Sequence, residues 1–230
     1  LGATVHYRQG DSDEDRTAYG EVVLAAIGRV PNTDADWFRS SGLKLDERGY
    51  VTVDGYGRTN LDGVWALGDI TPGHALAHRA FEQGITIAEK IAGADPKPVI
   101  DDTVPQVVFS FPEAASVGLT LDQAKAREDV VEPKETAYPM LSNARMLMSG
   151  EGGSMTVVSG AFANNPDMQV VLGVHIVSPI ASDLIAEAEQ LVGNRVPLAD
   201  AARLIHPHPT FSETLGEALL KADGRPLHTR

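Results

Sequence analysis

Val170-Val171-Leu172-Gly173-Val174-His175-Ile176-Val177 decides how the second half of this chain folds. Its β-branched residues are stiff at χ1 and suit a pleated surface, and no polar face interrupts the run at helical spacing. It reads as a strand. Working outward, Val104–Phe109, Ala114–Gly118 and Ser154–Ser159 read the same way. Leu121–Ala126, Ala181–Leu191, Leu198–Leu204 and Phe211–Ala222 instead carry apolar residues at helical spacing. Strands first and helices mostly after predict an α+β arrangement, an antiparallel sheet with helices on one face. Asn164-Asn165-Pro166-Asp167 is expected at a hairpin tip.

The first hundred residues are organised differently. Thr4–Tyr7 and Glu21–Ala26 read as two strands joined by the acidic run Asp11–Arg16, a solvated loop. Gly42–Val53 is strand-rich and runs into turns at Gly55 and Gly57, and Gly63–Leu67 is a compact apolar strand closed by Gly68-Asp69. Helical spacing runs from Ala75 to Ala92 and stops at Gly93. Asp95–Asp101, with Pro96 and Pro98, reads as a linker into the second half.

Composition narrows the function. At 230 residues the chain can hold one or two domains, and 43% hydrophobic with 22% charged residues is ordinary for a soluble globular protein. A formal net charge of −13 argues against nucleic acid or an anionic membrane as partner. No apolar run approaches the roughly 20 residues that span a bilayer. The opening, Leu1-Gly2-Ala3-Thr4-Val5, reads as mid-domain sequence, so a longer parent is expected. The absence of cysteine excludes disulfides, thiolate metal sites and a cysteine nucleophile within this chain.

Chemistry concentrates in Ile205-His206-Pro207-His208-Pro209-Thr210-Phe211-Ser212-Glu213. Each proline fixes its own φ and pushes the residue before it out of the helical region, so the histidines sit on stiff, extended backbone. A helix can begin only after Pro209, with Thr210 or Ser212 as its cap and Glu213 in its first turn. His208 and Glu213 make a base and carboxylate pair suited to general acid–base work, the carboxylate orienting the imidazole. Surface histidines beside a capped helix are the plainer explanation. Metal binding by His206 and His208 is a third, though no Cys, His or carboxylate cluster lies nearby in sequence.

Several ordered motifs resemble the flavoprotein disulfide reductases, most of all the dihydrolipoamide dehydrogenases. Ala26-Ile27-Gly28-Arg29-Val30-Pro31-Asn32-Thr33 resembles the family's crossover from its NAD domain to its FAD domain. Thr59-Asn60 and Trp65-Ala66-Leu67-Gly68-Asp69 resemble a flavin-binding strand, and Leu76-Ala77-His78 with Glu82-Gln83-Gly84 the helix touching the flavin ring. Phe111-Pro112-Glu113, Ser116-Val117-Gly118-Leu119-Thr120, Ser142-Asn143-Ala144-Arg145, Leu172-Gly173-Val174-His175 and the His-Pro-Thr…Glu signature resemble its interface domain.

The resemblance implies three segments: the end of an NAD-binding domain over 1–33, the end of an FAD-binding domain over 34–98, and a dimerisation domain over 99–230. It implies FAD and NAD as cofactors, with Asp69 on the flavin's ribityl–phosphate region, Ala75, Leu76, Ala77 and His78 facing the flavin ring, and Gly28 near the nicotinamide cofactor. It makes His208 the catalytic base and Glu213 its acid, leaving His206 a supporting role. Pro207 departs from the small or polar residue usual between the two histidines. A homodimer is implied, each histidine serving the other subunit, acting on a small dithiol such as lipoamide on a carrier domain, in the cytoplasm, with no metal. The redox cysteine pair and the glycine-rich dinucleotide fingerprint would lie outside this chain. Glutathione, mycothiol and mercuric-ion reductases share the His-Pro…Glu signature, and a non-catalytic dimerisation module is the alternative of another class.

Overall fold

Residues 2–229 are described by the computed structural model. The chain opens with a two-stranded antiparallel ribbon, β1 (Ala3–Tyr7) and β2 (Arg16–Gly20), in which Val5 faces Ala18 and Tyr7 faces Arg16. The second strand therefore comes earlier than Glu21–Ala26. Thr17 and Tyr19 fill the pairing register with β1, while Val22, Val23 and Leu24 run on without a strand partner and stay exposed. After α1 (Asp36–Ser40), bridges replace the expected strands: Leu45 pairs Val51, and Arg58 pairs Trp65. The turns at Gly49, Gly57 and Gly63, all at positive φ, follow one another too closely for a longer ladder. Helix α2 (Ala77–Ile91) follows as expected.

The second half is one antiparallel sheet. Its strands are β3 (Gln106–Val108), β4 (Glu113–Gly118), β5 (Val130–Pro139), β6 (Ser154–Phe162) and β7 (Asn165–Ser178), in spatial order β3-β4-β7-β6-β5. Helices α3 (Leu121–Ala126) and α4 (Ala144–Ser149) lie between strands, and α5 (Ala181–Gly193), α6 (Leu198–Ala201) and α7 (Glu213–Ala222) come after them. The hairpin turns at Ala163-Asn164, so Asn165 and Pro166 already belong to β7.

β5 escapes the sequence reading because it is an edge strand carrying Glu132, Pro133, Lys134 and Glu135. Proline and charge are tolerated where only one side is hydrogen-bonded. The register shifts between Val131 and Lys134, and Glu132 takes φ 50 there.

The main core lies between one sheet face and helices α5–α7. Val117, Tyr138, Met155, Val157, Val174 and Ile176 meet Leu184, Ala188, Leu191, Leu215 and Leu219. Val158 and Leu172 join α3 through Ala124 in a smaller cluster. β4 also caps α5: the Glu113 carboxylate accepts the Ser182 N–H at 2.8 Å, where the helix has no cap of its own. That bond holds the Glu113 carboxyl below its usual range.

The Tyr138 phenol is fully buried without a hydrogen-bond partner, and burial, with Glu217 and Glu213 nearby, pushes its pKa up to about 12. An unpaired buried hydroxyl costs about 1–3 kcal/mol. Tyr138→Phe is therefore expected to raise stability by roughly 1 kcal/mol or leave it unchanged, measured by chemical denaturation. A loss above about 1 kcal/mol would mean that the hydroxyl is bonded in solution.

Candidate functional site

The two histidines enter different surroundings. Residues 204–210 adopt neither helix nor strand and connect α6 to α7. The His206 side chain is 9% exposed, and its Nε2 lies 2.7 Å from Oε1 of Glu187 on α5. A side chain at Gly216 of α7 would put its Cβ 2.6 Å from His206 Nδ1, so the imidazole is seated where the helix offers only backbone. His208 is 71% exposed, and its Nδ1 lies 2.9 Å from Oε1 of Glu213, whose side chain is 21% exposed.

Glu213 divides its oxygens between two tasks. Oε1 faces His208, and Oε2 accepts the Thr210 N–H at 2.8 Å, closing the turn that leads into α7. The hydroxyl cap expected of Thr210 or Ser212 is absent. Ser212 is the N-cap without a side-chain capping bond, its hydroxyl meeting Thr210 Oγ1 at 3.0 Å, and Thr210 Oγ1 donates to the Pro207 carbonyl at 2.7 Å. Asn143 holds the turn from the other side, donating Nδ2–H to the Thr210 carbonyl at 3.1 Å while its Oδ1 caps α4.

These contacts set the chemistry. Burial alone would push the Glu213 carboxyl up, but the Thr210 N–H, the His208 hydrogen bond and the nearby imidazoles outweigh it and hold the carboxyl below its ordinary 4.5. An ionised carboxylate only accepts, so His208 Nδ1 carries the proton and a neutral ring keeps a free lone pair on Nε2. The Glu187 hydrogen bond raises His206 above its ordinary 6.5 against the opposing effect of burial. His206 is thus the buried partner of a carboxylate, whereas His208 leaves one ring nitrogen open to solvent.

The residues expected to meet a cofactor lie elsewhere. Gly68–Ile70 is a single 3-10 turn with Gly68 buried at positive φ, and Gly68 N–H donates to Gln83 Oε1 of α2 at 2.9 Å. This bond sets the exposed Asp69 beside the helix. Ala75 and Leu76 lead into α2, which has no side-chain cap, and Ala77 and His78 form its first turn. The His78 ring turns to the second half, Nε2 donating to the Pro105 carbonyl at 2.7 Å. Arg79 is buried beside it and pairs with Asp101 at 2.6 Å. Gly28 stands apart at φ 115 in an exposed segment, with nothing within 4 Å of where a Cβ would sit. An open cleft of about 590 Å³ between α2 and the end of α5 includes His78 and Arg79 but neither His208 nor Glu213. Among the described residues no cluster of three or more His, Asp or Glu is arranged to hold a metal ion. No helix there is long and apolar enough to cross a membrane.

The family model described as the pyridine nucleotide-disulphide oxidoreductase dimerisation domain matches residues 104–219, half of the chain, and a pyridine nucleotide-disulphide oxidoreductase model matches 3–84. The chain belongs to the pyridine nucleotide-disulphide oxidoreductase family. It is 40% identical to a dihydrolipoyl dehydrogenase of Cupriavidus necator over 229 residues, 99% of this chain and 46% of that protein. It is 38% identical to that of Geobacillus stearothermophilus, with the same shares covered. The chain spans about half the length of the curated relatives it matches. Among solved structures, LpdA from Mycobacterium tuberculosis superposes with a TM-score of 0.80 at 30% identity, over 94% of this chain and 47% of that one. The HOCl-induced flavoprotein disulfide reductase RclA from Escherichia coli, at 22% identity and a TM-score of 0.76, shares the fold over 89% of this chain and 46% of that one.

Sequence reasoning left Glu187 and Gly216 unnoticed. Both lie inside apolar helical patterns, and only the packing of α5 against the 204–210 turn reveals them. The His206–Glu187 and His208–Glu213 pairs affect stability on opposite sides of a pH window. Glu213, depressed on folding, stabilises above its ordinary 4.5, and this is lost as pH falls through the lowered value. His206, raised on folding, stabilises fully below 6.5, and this is lost as pH rises through the raised value. Unfolding free energies measured across pH should therefore fall less steeply on the alkaline side in Glu187→Gln and less steeply on the acid side in Glu213→Gln. Unchanged slopes in both variants would show that neither pair is coupled to folding.

Proposed function

We propose that this chain supplies the C-terminal half of an FAD-dependent dihydrolipoamide dehydrogenase, oxidising a dithiol with NAD⁺ and using His208 and Glu213 as its acid–base pair. The observation that carries the proposal is the pair itself: an ionised carboxylate at 2.9 Å from Nδ1 of an imidazole whose other nitrogen is open to solvent. The likeness to dihydrolipoyl dehydrogenases along 99% of the chain supports the substrate class.

The chain's own groups fit a flavin. Asp69 is exposed beside the buried Gly68 and suits the hydroxyls of a sugar-like chain. The first-turn N–H groups of α2 have no side-chain cap and, at the positive end of the helix, favour an electron-rich ring. When bound, the flavin would pass electrons from the dithiol to the nicotinamide nucleotide as hydride. The cysteine pair that exchanges with substrate would come from another segment, since this chain has none. His208 Nε2 takes the proton of an attacking thiol, because the thiolate and not the thiol is the nucleophile. Glu213 fixes the tautomer and faces the imidazolium that results. His78 ties α2 to the sheet half through Pro105, and Gly28 would lie near the nicotinamide nucleotide.

In the holoenzyme, His208→Ala is expected to lower dithiol oxidation by roughly 10²–10⁴ with flavin content unchanged. Glu213→Gln should cost less, because it keeps a hydrogen-bonding partner and loses only the charge, and His206→Ala should cost less than His208→Ala. Steady-state rates with a flavin-to-protein ratio for each variant test this, and full activity in His208→Ala would remove the base from the mechanism.

The second half would also be the surface of a homodimer. Phe109, Phe111, Leu147 and Met148 are exposed, and Ile205, next to the catalytic turn, is 97% exposed. Isolated apolar side chains on a surface are ordinary, but several bulky ones exposed in a stretch that matches a dimerisation domain support an interface there. Light scattering at micromolar concentration should return twice the chain mass, and a strict monomer would refute the assembly.

A further inference from the structure

The second carboxylate–imidazole pair has no part in the proton transfer just described. Yet it lies two residues before the base, is more buried than the base, and is anchored to a different helix. His206 meets Glu187 at 2.7 Å, and Glu187 belongs to α5, which packs on β4 and β7 in the main core. The ring rests on α7 at Gly216, where any side chain would displace it. Titratable or polar groups face His206 from three sides: Glu187 from α5, Glu213 from the start of α7, and the backbone of Leu204 on its own turn.

The turn would be poorly held without this pair. Ile205, immediately before His206, is almost fully exposed. On the far side of His208, Thr210 is bonded to Asn143, Glu213 and Pro207. His206 is therefore the anchor on the near side, with Pro207 transmitting its position to His208 through a backbone of fixed φ. A solvent-exposed imidazole in contact with one carboxylate can swing unless its backbone is fixed at both ends.

We propose that Glu187 and His206 form a positioning pair, mooring the histidine turn to α5 so that Nε2 of His208 meets the substrate thiol in one direction. The inference rests on the acid–base reading of His208. The pair contributes charge as well. A protonated His206 favours the ionised form of Glu213, the form that orients the base.

The test uses the holoenzyme with Glu187→Ala, Glu187→Gln and, for reference, His208→Ala. Two rates are read for each: dithiol oxidation by NAD⁺, and electron flow from NADH to an artificial acceptor, which needs no thiol deprotonated. Misplacement of a catalytic group by about 1 Å can cost up to 10²-fold. Glu187→Ala is therefore expected to lower kcat for the dithiol roughly 10- to 10²-fold with the acceptor rate intact. Glu187→Gln, which still accepts the His206 N–H, should recover most of that loss. If His208→Ala is impaired and Glu187→Ala is not, the positioning role fails while the base stands. If Glu187→Ala loses both rates together and Gln restores neither, the pair only holds the fold, and the proposal is again overturned. If His208→Ala itself keeps full dithiol activity, the acid–base reading falls first and the inference with it.

Discussion

The two-sided pairing of β7 is the constraint on which the sheet and the candidate site depend. Its residues 173–178 bond to β4 on one edge, and 165–177 bond to β6 on the other. The two glycine positions Gly118 and Gly173 face each other across the first of these ladders, and Gly173 has backbone of Leu119 where a side chain would go. α5 follows directly from the end of β7 and packs back on β4 and β7, so the position of Glu187 is inherited from the sheet. α7 packs on β5 and β6 at the opposite side of the same face and carries Glu213. The two carboxylates that hold the two histidines thus come from helices resting on different strands of one sheet.

This arrangement explains why two histidines two residues apart behave differently. His206 is nearly buried and paired, so its proton is held by Glu187 and its ring is unavailable to solvent. His208 is paired by one nitrogen only. A general base needs that asymmetry: one nitrogen committed to a carboxylate that fixes the tautomer, the other free. One oxygen of Glu213 is fixed by the Thr210 N–H, so the bond that closes the turn before α7 also aims the carboxylate at His208.

Much of this was legible in sequence, for identifiable reasons. The β-branched runs that became β4, β6 and β7 lie inside the sheet, where both neighbours are strands and polar residues are scarce. α3 matches its expected limits because Thr120 and Gln123 form a capping box, a local device that needs no tertiary support. The His208–Glu213 pair was readable because five residues across a proline turn leave few arrangements. β5 was not, since an edge strand tolerates Pro133 and its charged neighbours. β2 was misplaced because the apolar Val22–Leu24 outscores Arg16–Gly20 by composition, yet pairing with β1 depends on register and not on hydrophobicity. Glu187 was invisible because 19 residues of helix, turn and second helix separate it from its partner.

The exposed apolar segments carry the last step. Val22, Val23, Leu24, Ile27 and Val30 run in open surroundings, as do Phe109, Phe111 and Ile205 in the other half. Water-exposed side chains of this size in succession are unfavourable by about 25 cal/mol for each Å² left uncovered. The sheet half buries its own core fully, so its exposed apolar groups are surplus to folding and available for association. The first half has few buried side chains to itself, Phe38, Val51 and Ile87 being its fully enclosed apolar ones. Its conformation therefore leans on tight turns and on bonds to the second half, Arg79 to Asp101 and His78 to Pro105. Those two contacts place the exposed Asp69 and the open first turn of α2 at a fixed position relative to the sheet. Surfaces carried on separate elements keep a constant relation to one another only through such a shared frame.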